Sequence, residues 1–373
     1  MRMSDSQYYR YGRHLVLPEI GVAGQEKLLD AKVVLIGNGG LGSPCAMYLA
    51  AAGVGTIGLM DFDVVDISNL QRQVLYQTDQ VGKPKAAMAA HRLKALNPDT
   101  RVVTYEEALT SQNAMDIFAD YDIVVDCTDN FATRYLVNDA CVLSGKPDVY
   151  GSVFRFDGQA TVFGMPDGPC YRCLFPVPPQ PGEVVTCSEG GVFGVLPGLI
   201  GVVQATEVVK LITGMGEGLV NRLLLLDATS MRWREINVER NPDCPICGQH
   251  RTIHELMDYR SFCGMKPNGA SVASISAASL LERMNNGWDG VVVDVREPFE
   301  RDRDGFIGGS RLIPVNELVD RFHELEDARG REIVVYCQNG VCSINGAKIL
   351  QTRGFEVALL DKGFGDWLAV TTP

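Results

Sequence analysis

The stretch AKVVLIGNGGLGSPCAMYLAAAGVGTIGLMD, residues 31–61, decides the fold class of this chain. Residues 31–36 form a short β-branched apolar run, Gly37-Asn38-Gly39-Gly40-Leu41-Gly42 comes next, and the Ala-rich residues 43–52 read as a helix. A second strand runs over residues 56–60 and ends at Asp61. Gly37, Gly39 and Gly42 fit G-x-G-x-x-G between strand and helix, where glycine lets the backbone approach phosphates and the helix N-terminus offers unpaired N–H donors. Asp61 stands at a strand end about 20 residues on, the place from which a carboxylate binds ribose hydroxyls. The fingerprint marks a nucleotide site of unspecified type, and an NAD-dependent oxidoreductase would show it too.

Outward from this stretch, residues 81–96 read as a helix and 123–126 as a strand, so strands and helices alternate as they do around a parallel sheet. Residues 151–162 alternate in a strand-like way, 199–212 form an apolar helix and 223–226 a strand. Apolar periodicity fades over 249–270, where Gly, Pro and Asn collect, and an interdomain linker is expected there. Strands at 291–295, 333–336 and 357–360 and helices at 315–323 and 344–353 then make a second, smaller α/β unit. The expected domains are 1–248 and 271–373, both α/β, the first Rossmann-like.

Of the 373 residues, 46% are hydrophobic and 21% charged, which is ordinary globular composition for two or three domains. The formal net charge of -12 argues against a nucleic-acid backbone or an anionic membrane as the main partner, since both need a basic footprint. Residues 1–10 are polar, with Asp5 and Arg10 where a secretory signal needs an apolar run. The 11 cysteines are odd in number, diluted over a long chain and partly paired as CxxC, a pattern that fits a reducing cytoplasm better than a disulfide scaffold.

Residues beyond Asp61 narrow the chemistry. Asp63, the run Ser68-Asn69-Leu70-Gln71-Arg72-Gln73, then Gly82-Lys83-Pro84-Lys85, and later Asp129-Asn130, are motifs that a dehydrogenase does not need. Arg72 and Lys85 could neutralise a triphosphate and Asp129 could hold magnesium, serving attack of a carboxylate on the α-phosphate with pyrophosphate leaving. Taken singly, Lys85 reads as a residue on a solvated helix face and Asp129 as a helix cap.

Together with RYGRHLVLPEIG, GNGGLGS, VGKPKA, VDCTDNFATRYLVNDAC, PCYRCLFP, TCSEGGVFGVLPG and NPDCPICG, these motifs resemble the ThiF and MoeB family of E1-like adenylyltransferases over residues 8–248. The resemblance implies ATP held around Gly40, Asp61, Asn69, Arg72, Lys85, Asp129 and Asn130. Gly37, Gly39, Gly42, Asp63, Ser68, Leu70 and Gln71 would line the same site, with magnesium on Asp129. Arg13 resembles the arginine that enters the site from the other subunit, which implies a homodimer.

Cys170-x-x-Cys173 and Cys244-x-x-Cys247 have the spacing at which two thiolate pairs share one tetrahedral zinc, and the family resemblance implies zinc as well. Four thiolates without histidine suggest a closed structural site that staples two distant loops. Cys187 sits in the polar, glycine-flanked run VVTCSEGG, unlike Cys45 and Cys141 inside apolar helical patterns, and is a candidate exposed nucleophile. By resemblance it matches the position that accepts the carrier as a thioester or traps it through sulfur chemistry; the plainer alternative is a spectator cysteine.

In the second unit, YCQNGVCS (residues 336–343) comes after a strand and opens a helix, so Cys337 would sit in a ring of backbone N–H groups that favour thiolate and persulfide anions. With VDVREP, GFIGGS and GFGDW, it resembles the rhodanese domain over nearly all of residues 271–368, and Cys337 matches the persulfide cysteine. Two positions depart from that pattern: Cys342 stands where the loop usually closes with arginine, and Phe306 where a histidine usually precedes Ile307. A second thiol in the loop could resolve a persulfide on Cys337 into a disulfide.

The sequence therefore leads to an enzyme that uses ATP to adenylate the C-terminal glycine of a ubiquitin-like sulfur carrier ending in Gly-Gly. Sulfur from a persulfide or thiosulfate donor then passes through Cys337 to make a thiocarboxylate. Three alternatives stay open: an activator that conjugates a ubiquitin-like modifier through a thioester on Cys187, a carrier-binding protein with a degraded rhodanese, and an NAD-dependent oxidoreductase resting on the glycine fingerprint alone. The pathway that receives the sulfur is not fixed by the residues.

Overall fold

The computed structural model describes residues 3–179, 190–263, 272–338 and 340–371, and the chain divides into two compact units that meet the expectation of two α/β folds. In the first, eight strands form one sheet in the order β3-β2-β1-β4-β5-β6-β7-β8. They are β1 (Lys32–Ile36), β2 (Thr56–Met60), β3 (Arg101–Tyr105), β4 (Ile123–Asp126), β5 (Asp148–Phe154), β6 (Asp157–Phe163), β7 (Arg222–Asp227) and β8 (Arg232–Asn237). Strands β1 to β5 are parallel and β6 to β8 antiparallel. Val33 and Leu35 face one apolar cluster and Val34 and Ile36 the other, which is why β1 reads as an unbroken apolar run: a parallel strand is buried on both faces.

The order of the strands reverses at β1, whose last residue Ile36 lies level with Met60 on one side and Asp126 on the other. Ligand crevices in open α/β sheets form at this switch point, beyond the strand C-termini. The covering helices include α1 (Gly42–Ala52), α2 (Lys85–Leu96), α3 (Phe131–Ser144) and α4 (Leu196–Thr213). Among the described residues α4 is the one helix long and apolar enough to cross a membrane; here Leu196, Ile200, Ala205 and Val208 belong to the core.

Several boundaries differ from the sequence reading. The alternating run at 151–162 is a hairpin, β5 and β6, reversed at Arg155, whose φ of 51° gave no glycine signal. The helix expected from residue 81 starts at Lys85, because Pro84 takes its N-cap and residues 78–83 fold into a 3-10 turn and its exit. Strand β8 carries no apolar signature, since every residue of it is exposed. Part of the stretch expected as linker is packed structure: α5 (Tyr259–Phe262) places Tyr259 and Cys263 in the core of the first unit.

The second unit is a five-stranded parallel sheet in the order β11-β10-β12-β13-β9, from β9 (Ala273–Ile275), β10 (Val291–Asp294), β11 (Arg311–Leu312), β12 (Glu332–Tyr336) and β13 (Glu356–Leu360). Ile333 and Val335 face one cluster, Val334 and Tyr336 the other. The helix expected at 315–323 is α-helical only over Leu318–Arg321 and continues as a 3-10 helix, Phe322–Ala328. Helix α6 (Val341–Thr352) comes directly after the β12 loop.

Candidate functional site

The glycine loop joins β1 to α1 at the switch point. Gly37 has φ +91°, and a Cβ there would lie 2.9 Å from the carbonyl oxygen of Cys127; a Cβ on Gly42 would meet the Gly37 oxygen at 2.1 Å. Both glycines let the chain turn tightly against β4. Gly39 and Gly40 stand on the same loop beside Gln73 and Arg72: a Cβ at Gly39 would be 3.5 Å from Gln73 Nε2, and one at Gly40 would be 3.6 Å from Arg72 Cγ and 2.9 Å from Pro197.

Asp61 ends up where the spacing put it. Its Oδ2 accepts the backbone N–H of Asn38 at 2.8 Å and its Oδ1 that of Asp63 at 3.0 Å, so the acid ties the glycine loop to the end of β2. Burial raises its pKa, and Lys85 opposes the rise. Lys85 is not on a solvated face: it is 5% exposed and its Nζ donates to Asp63 Oδ2 at 2.9 Å. A buried ammonium needs such a partner, and the pair brings a cation to the strand end.

The run 68–73 is shaped by a residue the sequence reading passed over, Asp66. Its Oδ1 accepts Ser68 N at 2.8 Å and Ser68 Oγ at 2.6 Å, and these bonds hold its carboxyl below the usual range. Asn69 Oδ1 accepts Asp66 N at 3.3 Å, Arg72 donates to the Ser68 carbonyl at 3.1 Å, Leu70 packs on the core and Gln71 is exposed. Gln71 also meets the chain that enters α4, since a Cβ on Gly194 would lie 2.8 Å from the Gln71 carbonyl oxygen.

Asp129 is exposed beyond the end of β4, and the helix cap is its neighbour: Asn130 Oδ1 accepts Thr133 N at 2.9 Å to start α3. Arg13 is exposed on the short helix Gly12–Leu15 and has no hydrogen-bond or ion-pair partner among the described residues. Cys187 lies outside the described residues. Cys45 and Cys141 are buried, as their apolar patterns implied.

The four CxxC thiols come together. All Sγ atoms lie within 4.8 Å of one another, with Cys170 3.8 Å from Cys173 and 3.6 Å from Cys244, and Cys173 3.3 Å from Cys247. A tetrahedron of thiolates about 2.3 Å from a zinc ion would space its sulfurs about 3.8 Å apart, so the donor set fits one tetrahedral metal.

In the second unit Cys337 is 2% exposed at the end of β12; its Sγ accepts the N–H of Ser343 at 3.3 Å and stands 3.6 Å from the Ser343 hydroxyl. Gly340, φ +87°, opens α6 and turns the loop back on the thiol. Arg296 is buried against Asp294 through two bonds of 2.9 and 2.8 Å, and reaches the loop by one N–H to Gln338 Oε1 at 3.0 Å. Phe306 is exposed beneath the Arg301 guanidinium, 3.9 Å from its ring centre. Cys342 packs at the edge of the apolar cluster that contains Cys337.

With this geometry in place, comparison with known proteins gives a consistent answer. Residues 11–246 match the ThiF family and residues 276–370 the rhodanese-like domain. The chain is 53% identical over 271 residues to the sulfur carrier protein adenylyltransferase of Thermus thermophilus, covering 71% of this chain and all of that one. It is 44% identical over 380 residues to the probable adenylyltransferase/sulfurtransferase MoeZ of Mycobacterium tuberculosis, covering 100% of this chain and 95% of the relative. Among solved structures, Escherichia coli MccB with MccA-N7isoASN superposes with a TM-score of 0.58 at 26% identity, over 64% of this chain and 75% of MccB.

Proposed function

This chain belongs to the ThiF family and carries a rhodanese-like domain behind it, and from that premise we propose that it adenylates the C-terminal carboxylate of a small sulfur-carrier protein and converts the adenylate to a thiocarboxylate. The family makes it an adenylyltransferase that uses ATP, with a sulfurtransferase domain. The observation that carries the reading is the strand-end pair Lys85–Asp63 beside Asp61 and the glycine loop, in a chain that also presents a strand-end cysteine with an N–H donor on its sulfur. Together they supply a phosphate site and a sulfur site.

The loop N–H groups, Arg72 and Lys85 would hold the triphosphate, and Asp61 the ribose. Magnesium, held by Asp129, would shield phosphate charge. The carrier's carboxylate attacks the α-phosphorus, the bond to the β-phosphate oxygen breaks, and pyrophosphate leaves. Arg13, exposed and without a partner among the described residues, is available to the site of a second copy, which supports a homodimer. A persulfide on Cys337 then attacks the acyl carbon and AMP leaves. A thiol, for which Cys187 is the chain's own candidate, attacks the Cys337 sulfur of the acyl disulfide and releases the thiocarboxylate; a reductant restores the thiols.

We assign zinc to the Cys170, Cys173, Cys244 and Cys247 cluster as a structural staple, on the strength of its sulfur spacing. We place the enzyme in a reducing cytoplasm, where paired CxxC thiols stay open to a metal. The intact mass of a Gly-Gly-ending carrier after incubation with the enzyme, Mg-ATP, thiosulfate and reductant tests the whole reading. A carrier with one oxygen replaced by sulfur is expected, and a carrier that is never adenylated would overturn it.

A further inference from the structure

Arg172 lies inside the first CxxC pair and is among the most buried side chains of the protein, 1% exposed. Its guanidinium makes a two-point bridge to Asp139 on α3, Nε to Oδ1 at 2.8 Å and a terminal nitrogen to Oδ2 at 2.7 Å. Two rings enclose it, Tyr135 of α3 at 4.8 Å and Phe262 of α5 at 4.6 Å, and those rings meet edge to face at 5.3 Å. The Tyr259 hydroxyl of α5 donates to the same Asp139 Oδ2 at 2.8 Å. Asn138 completes the set: its amide donates to Asp139 at 2.9 Å, and its oxygen accepts the N–H of Tyr171 at 2.6 Å.

Helix α5 is a single turn, too short to persist by itself. Tyr259, Phe262 and Cys263 share one face of it by their i, i+3, i+4 spacing, and that face is spent on the charge pair and the rings around it. We propose that Arg172, Asp139, Tyr259 and Phe262 form a clasp that pins the end of the first unit to its metal loop, making Tyr259 and Phe262 positioning residues for sulfur transfer. The clasp sets a length. From Cys263 to Val272, where the described chain resumes, the sequence has eight intervening residues; from Ile253, whose N–H stays on the Pro245 carbonyl and whose side chain packs on the cysteine cluster, it has 18. Fully extended, those spans reach about 30 Å and about 65 Å. The effective concentration of a tethered group falls roughly as the −3/2 power of tether length, so release of the clasp lowers that of a persulfide on Cys337 about threefold.

This inference rests on the sulfur-transfer reading above. The test compares full-length enzyme with the double variant Tyr259→Phe, Phe262→Ala, and with a third protein that keeps both residues and has a Gly-Ser insert of about 10 residues, roughly the released length, between Cys263 and Val272. In the double variant, amides of residues 258–263 are expected to exchange at least tenfold faster, carrier-dependent ATP-pyrophosphate exchange to stay at the wild-type rate, and single-turnover thiocarboxylate formation to slow about threefold. The insert protein is expected to show the same slowing with 258–263 still protected. Unchanged protection in the double variant overturns the clasp; faster exchange with an unchanged thiocarboxylate rate overturns its positioning role. A wild-type enzyme that exchanges pyrophosphate but makes no thiocarboxylate sinks the underlying sulfur-transfer reading instead.

Discussion

Both units place their candidate site at the C-terminal end of a parallel strand that leads through a loop into a helix, but they handle charge differently. At the ends of β1, β2 and β4 the first unit gathers open charge: Lys85 reaches Asp63, whose carboxylate is half exposed, and Asp129 stands in solvent. Below them Asp148 is fully buried, with one oxygen lacking any partner among the described residues. At the end of β10 and β12 the second unit closes its charge: Asp294 and Arg296 bridge at two points, and Tyr336 donates to the same Asp294 at 2.7 Å. The sulfur of Cys337 is met by the neutral donors of Ser343. A nucleotide triphosphate brings several charges and needs cations held ready, whereas a persulfide brings one and is served by N–H dipoles.

The largest expected effect separates the two sites. Lys85→Ala removes the buried cation and should slow ATP-pyrophosphate exchange about 10²–10³-fold, while Cys337→Ala keeps that exchange and loses thiocarboxylate formation. Equal loss of exchange in both variants would break the comparison.

Next is Asp294→Asn, which leaves the Arg296 guanidinium buried against a neutral amide. A cost of about 3–5 kcal/mol is expected, read as an earlier unfolding transition of the second unit in urea with the first unit's transition in place. A shift below about 1 kcal/mol would mean that Gln338 and the Gly305 carbonyl already satisfy Arg296 without the acid.

The smallest effect has the opposite sign. Burial, with Asp126 nearby, pushes the Asp148 carboxyl well above its usual range. The folded state therefore holds a proton that the unfolded chain releases near pH 4, so this contribution to stability is complete in acid and is lost as pH rises toward the folded value. Asp148→Asn should gain stability over wild type as pH rises from about 4.5 to about 8. Urea midpoints at the two pH values check it, and a variant that loses ground with rising pH would show that Asp148 is ionised in the fold.

Most of the nucleotide loop and the cysteine cluster could be read directly. Gly37 to Asp61 is a local arrangement, in which the turn, the helix start and the strand end are neighbours in sequence, and a CxxC pair fixes the spacing of two thiols over one turn. Asp66 went unread because its role is to accept Ser68 and receive nothing distinctive in return: an acid before a Ser-Asn pair has no signature of its own. The hairpin at Arg155 and the all-exposed β8 were missed for a related reason, since the first lacks a turn glycine and the second an apolar face.

By itself, the sequence determined the strand-loop-helix order at the glycine loop and at the Cys337 loop, the residue types at those strand ends and the pairing of cysteines by spacing, because these come from backbone sterics and periodicity over a few residues. Tertiary structure alone decided that Lys85 is buried on Asp63 and that Tyr259 and Phe262 close over Arg172 and Asp139. Each of those depends on two distant side chains losing their water together, and the free energy of that exchange belongs to the pair and is written in neither stretch of sequence.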